Sequence, residues 1–166
     1  MIKKRLTFTL ICLFFFCLSI GCGRKPKATP LFPETLPNLH LIKLIKGKEA
    51  KKEVNRLHGK EIPVKDAWVA YYRGAFFEGN WNEATIWISE AFSLEEASKQ
   101  TKIMMEKIIH NPRSPFYNVK VITTPQGKMY IFWGMGNEHA VFQKQTMVYW
   151  ISATPEVFDG VLAYYK

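Results

Sequence analysis

Cysteine is nearly missing from this 166-residue chain: there are 3, at positions 12, 17 and 22, and none follows Cys22. An internal disulfide framework, a thiolate metal site and a CxxCH haem attachment are therefore not to be expected beyond that point. Histidine is as thinly spread. His40, His58, His110 and His139 form no HxxH or HExxH pair that would set two imidazoles on one metal. No Gly-x-Ser-x-Gly elbow is present for a serine hydrolase. Gly134-Met135-Gly136 lacks the third glycine and the following helix of a dinucleotide loop. Glu90 and His139 remain the residues a hydrolytic reading would have to use. The expectation is a chain that is not an enzyme, with no catalytic residue, no metal and no cofactor.

Long apolar runs are also short supply. The longest, Leu6 to Ile20, falls below the about 20 residues that a membrane-spanning helix needs. It follows the cations Lys3, Lys4 and Arg5 and ends at Gly21-Cys22. A basic start, a greasy middle and a small residue at the cleavage point make an export signal. With cysteine next, the segment resembles the lipobox signal of bacterial lipoproteins. That resemblance covers only the leader and departs from the usual pattern in one place: Ser19 stands three residues before the cysteine, with Leu18 one further back. It implies cleavage between Gly21 and Cys22. It also implies a thioether-linked diacylglycerol on the Cys22 sulfur and commonly an N-acyl chain such as palmitate. Cys12 and Cys17 would leave with the leader, and the covalent lipid accounts for the one thiol that stays. The implied address is the bacterial cell membrane or outer membrane, with the protein lipid-anchored and facing the periplasm or exterior. Gly23 after the cysteine resembles the class that enteric-type bacteria sort to the outer membrane.

Charge is uneven. Residues 24–65 carry 11 Lys/Arg against 4 Asp/Glu, a balance of +7, whereas residues 66–166 carry 9 against 10. Cations near a lipid attachment point would be drawn to anionic head groups by about 1 kcal/mol each; a solvated basic linker is the plainer alternative. A lipid-held, exported domain does not meet nucleic acid, so the basic excess is not read as a nucleic-acid site. Pro26, Pro30, Pro33 and Pro37 suggest an extended tether. At about 3.1 Å per residue, the segment from Arg24 to Pro37 would reach roughly 40 Å. The expected organisation is a signal peptide over 1–21, a lipidated cysteine and basic Pro-rich tether over 22–37, and one globular domain over 38–166.

Within the domain, Leu39–Lys46 fits either a short strand or the start of a helix. Ala50, Val54 and Leu57 predict a short helix ending at Gly59. Asp66–Arg73 and Glu83–Phe92 read as a hairpin about Glu78-Gly79-Asn80. Ser93 with Glu96 is a capping box, and Leu94, Ala97, Thr101, Met104, Met105 and Ile108 form a helical stripe closed by Asn111-Pro112. Strand-like stretches at 117–124, 129–133, 140–144 and 147–153 are separated by turn residues. Thr154-Pro155 starts a last helix. The fold class predicted is α+β: an antiparallel sheet of about five or six strands, one long helix packed on one face, and a short C-terminal helix.

Residues 66–166 include 19 Phe, Trp and Tyr. Met129–Trp133 and Met147–Ile151 do not alternate apolar with polar, so neither face of those strands is marked as wet. Either a terminal helix covers the second face, or that face is a ring-lined recognition surface. The candidate ligand or partner surface is Trp87, Tyr130, Phe132, Trp150 and His139. His139 reads as a surface histidine beside a turn or as a ligand contact. His58 and His110 read as imidazolium partners of helix C-termini. The resulting functional expectation is a membrane-anchored accessory or interaction module docking an envelope protein. The alternative is a carrier for a lipid, haem or glycan.

Overall fold

The computed structural model describes residues 29–166. The signal sequence, the cleavage point at Gly21 and the lipid site at Cys22 lie outside the described residues. In chain order the elements are β1 (Thr35–Leu36), β2 (Leu39–Lys46), α1 (Gly47–His58), β3 (Asp66–Phe77), β4 (Asn80–Glu90) and α2 (Leu94–His110). Then follow β5 (Phe116–Thr124), β6 (Gly127–Gly134), β7 (Asn137–Lys144), β8 (Met147–Ala153) and α3 (Pro155–Tyr165). All eight strands join one antiparallel sheet in the order β1-β2-β3-β4-β8-β7-β6-β5.

Two expectations are corrected. The sheet has eight strands rather than five or six, and three helices pack on it rather than one long helix. The extra strands are β1 and β2. In β2 the register shifts between Leu41 and Lys43, so Leu39, Leu41, Leu44 and Ile45 do not keep a strand's two-residue period. β1 is two residues long and turns back through Asn38, whose φ is 60°. Its prolines had suggested an extended tether. Instead Phe32 and Leu36 are buried, and Tyr72, Tyr164 and Tyr165 donate hydroxyl hydrogen bonds to the carbonyls of Pro33, Pro30 and Leu31. The described part of the packed body thus includes Thr29–Leu36.

Register divides the side chains cleanly. One face carries Val69, Trp87, Trp150, Val141 and Tyr130 in a row across β3, β4, β8, β7 and β6. α1 packs over its β2–β4 half through Ala50 and Val54, and α2 over its β5–β8 half through Ala97, Met104, Met105 and Ile108. The opposite face carries Ala70, Ile86, Ile151 and Ala140 and is covered by α3 and the Phe32–Leu36 segment. Both faces of the central strands are therefore dry, which is why β8 shows no polar alternation. Two of the turns at the sheet ends take a left-handed backbone: Glu78 and Gly79 (φ 47° and 87°) and Met135 and Gly136 (φ 54° and 80°) close two-residue hairpins. The basic excess is not a linker property either. Eight of the cations in 24–65 stand on β2, α1 and the loop to β3, where Lys52, Arg56 and Lys65 pair with Glu49, Glu53 and Glu90. Among the described residues no helix is long and apolar enough to cross a membrane.

Candidate functional site

α1 and α2 lie on the same face without packing tightly against each other, and a cleft of about 390 Å³ opens between them. That is within the range of small-molecule sites, roughly 300–1,000 Å³. Its floor is the Trp150 indole with Phe116, and its walls are Leu57 and Ile62 on the α1 side and Ile103, Met104 and Ile108 on α2. Gln100 spans it, its Nε2 donating to the Pro63 carbonyl at 3.0 Å. The Gln100 Oε1 is buried and has no hydrogen-bond partner among the described residues. A buried acceptor left unpaired costs about 1–3 kcal/mol, so the cleft holds a polar group with spare capacity.

The floor is held from below by an aromatic box. Phe116 meets Phe132, His139 and Trp150 edge-on, with ring centroids 5.2, 5.1 and 5.6 Å away. Phe132 stacks on His139 at 5.2 Å. Trp150 Nε1 donates to His139 Nδ1 at 3.2 Å, and His139 Nε2 lies 2.9 Å from the Gly134 carbonyl. Only the neutral ring protonated on Nε2 satisfies both contacts. Burial pushes the His139 pKa below its ordinary value, against a smaller upward pull from the Gly134 carbonyl. Gly134 has no room for a side chain: a Cβ there would meet the Phe116 ring and, at 2.8 Å, the Pro115 carbonyl. The indole plane of Trp150 is thus fixed before anything enters the cleft.

The rim is basic. Lys60, Lys99 and Lys107 are exposed lining residues, and none makes an ion pair among the described residues. Glu96 also lines the cleft, but its Oε2 accepts from the Phe92 backbone N–H at 3.2 Å. His58, the last residue of α1, has its pKa lowered by burial first and then by the charges of Lys60 and Lys107. That corrects its expected role at the helix end: the dipole favours an imidazolium, and these surroundings disfavour one.

The five rings proposed from the sequence share this face but not one surface. Trp87 and Trp150 are register partners, half-buried and buried, beneath the gap between α1 and α2. Phe132 and His139 are sealed inside the box, so His139 is a core residue and not a surface one. Tyr130 lies on the other flank of α2 and lines a second hollow, of about 1200 Å³, with Met105 and Lys128. The ring-lined face is therefore roofed by helices, and only Trp150 reaches the cleft. Sequence reasoning passed over Phe116, Gln100, Ile103 and Lys107. The last three repeat at helical spacing beside the core stripe of α2, and that second stripe is the signal that marks the cleft wall. Glu90 is paired with Lys65 at 2.9 Å. No group of three His, Cys, Asp or Glu able to hold a metal occurs among the described residues.

Fold and site together define an α+β domain with a preformed interhelical cleft. No family model, curated protein or solved structure matches the chain.

Proposed function

We propose that the chain is a lipid-anchored protein of the bacterial envelope whose folded domain is a non-catalytic binding module. It takes a small, largely apolar ligand in the cleft between α1 and α2. The carrying observation is the cleft itself, apolar in its floor and walls and spanned by a single amide with an unpaired oxygen. Apolar concavity with few polar groups is the usual character of a small-ligand site. Within the carrier alternative this favours a lipid over a glycan, which would ask for more hydrogen-bonding partners than Gln100, Asn111 and Ser114 supply.

Native mass spectrometry of the full protein, purified in phosphatidylcholine nanodiscs, tests the reading. A noncovalent small-molecule adduct is expected in the wild type and not in Ile103→Trp, whose indole would fill the cleft. A ligand-free wild type whose melting temperature no amphiphile shifts would overturn it.

A second reading, docking of an envelope protein, draws on β5. This strand ends the sheet, with Tyr117, Val121 and Ile122 exposed. A free edge can accept another strand. The register shift between Tyr117 and Lys120, and the Lys120 charge, blunt that edge, so this reading ranks second.

A further inference from the structure

We infer that the ligand of this cleft is an amphipathic carboxylate, a medium-chain fatty acid, with its chain over Trp150 and its head group between His58, Lys60 and Lys107. The inference rests on the cleft being a binding site, as proposed above, and adds the chemical class of what it binds.

Size is the first argument. At about 30 Å³ for a group the size of water, the cleft has room for roughly a dozen non-hydrogen atoms. From Glu96 to Lys107 it runs along α2 for roughly 16 Å at 1.5 Å per residue. A straight chain of about ten carbons matches both figures, and the side chains along its path are Ile62, Ile103, Met104 and Trp150.

Charge is the second. Lys60 comes from the loop after α1 and Lys107 from α2, so two separate elements bring cations to one end of an apolar slot. Both line the same cleft as His58, whose ring each of them pushes toward the neutral form. Lys99 adds a third unpaired cation further along α2. The one carboxylate in the lining, Glu96, sits in the first turn of α2, eleven residues from Lys107, and is engaged with Phe92. An anion entering between His58, Lys60 and Lys107 meets three groups that gain from it and no facing acid among the lining residues.

The test uses the full chain in phosphatidylcholine nanodiscs, with empty nanodiscs subtracting partition into lipid. Decanoate, decanol and decyltrimethylammonium are titrated by calorimetry while the His58 ring is followed by NMR. Decanoate is expected to bind at least tenfold more tightly than decanol, with the ammonium compound weakest. Lys60→Gln/Lys107→Gln is expected to lose about tenfold for decanoate and nothing for decanol. The His58 titration midpoint should rise when decanoate is bound. Equal binding of decanoate and decanol, unchanged by the double variant, would overturn the carboxylate assignment and leave the cleft as a site for neutral apolar ligands. Failure of all three probes, in wild type and Ile103→Trp alike, would remove the binding site itself. If Lys107 serves only the α2 dipole, the double variant loses melting temperature with decanoate affinity intact, and the inference falls.

Discussion

What a histidine does here is decided by its neighbours across the strands. His139 lies beside a hairpin turn, where the local sequence suggests a solvent-facing ring. Pairing puts Phe132 on one side of it, Ser152 on the other and Phe116 over it, so the ring is 4% exposed. Phe132 reaches it by pairing across the Met135-Gly136 turn, whereas Ser152 and Phe116 come from β8 and the start of β5, further off along the chain, which is why the box was not legible beforehand. The consequence is acid sensitivity. Burial holds the folded pKa below 6.5, so as pH falls the unfolded chain takes up a proton first. The stability His139 confers is therefore whole above about pH 6.5 and is lost as pH drops toward the folded pKa. His58 acts in the same direction. His139→Gln should show a smaller loss of urea midpoint between about pH 7.5 and 5.5 than the wild type does. At the upper pH, His139→Leu should cost about 1–3 kcal/mol, because the Trp150 N–H stays buried without a partner. Identical pH slopes in wild type and the Gln variant would mean that the ring is not the titrating group.

Helices were more legible than strands, for a reason visible in α2 and β2. A capped amphipathic helix writes its own ends: Ser93 Oγ accepts from Glu96 N–H at 3.1 Å, and the stripe Ala97, Thr101, Met104, Met105 and Ile108 is buried as its spacing requires. The Glu96 carboxylate, however, reaches back to Phe92 N–H, one residue before the cap, where a capping box would close on the cap residue itself. A strand has no such terminal chemistry. Its period fails wherever a register shift occurs, and β2 has one at its third residue. Nor can a period reveal that both faces are covered, as in β8, because the cover is supplied by other elements, α2 on one face and α3 on the other. The cap carries a prediction at this scale. Ser93→Ala should cost about 1 kcal/mol, lowering Tm by roughly 2–4 °C in a domain this size. Since α2 is one wall of the cleft, native-state hydrogen exchange should also rise in its first turn, at Glu95 to Ala97. An unchanged melt would show that packing on β7 and β8 alone holds that end.

Across the whole molecule, the packing of Thr29–Leu36 changes how far the fold can stand from a bilayer. The prolines suggested a spacer, but Phe32 lies under α3, and a Cβ at Gly160 of that helix would crowd Pro37 at 3.1 Å. Proline spacing reports a preference for extended backbone, and an extended segment can lie on a protein as readily as in water; Leu31, Phe32 and Leu36, large and apolar among the prolines, are the residues that hint at burial. Phe32→Ala should therefore destabilise like a core truncation, about 3–5 kcal/mol by urea unfolding, where a solvated tether would give none. If Cys22 carries the proposed lipid, the anchor lies seven residues from Thr29, which is hydrogen-bonded to Phe32 within the described body. Seven links of at most about 3.6 Å span roughly 25 Å. Neutron reflectometry of the lipidated protein on a supported bilayer should then find the domain no more than about 25 Å above the head groups, and a Gly/Ser insertion after Arg24 should raise it. A gap near the roughly 40 Å of a fully extended Arg24–Pro37 segment would require Phe32 to leave α3. The cleft would accordingly work close to the membrane, where a fatty acid leaving the lipid phase has only a short aqueous path to cross.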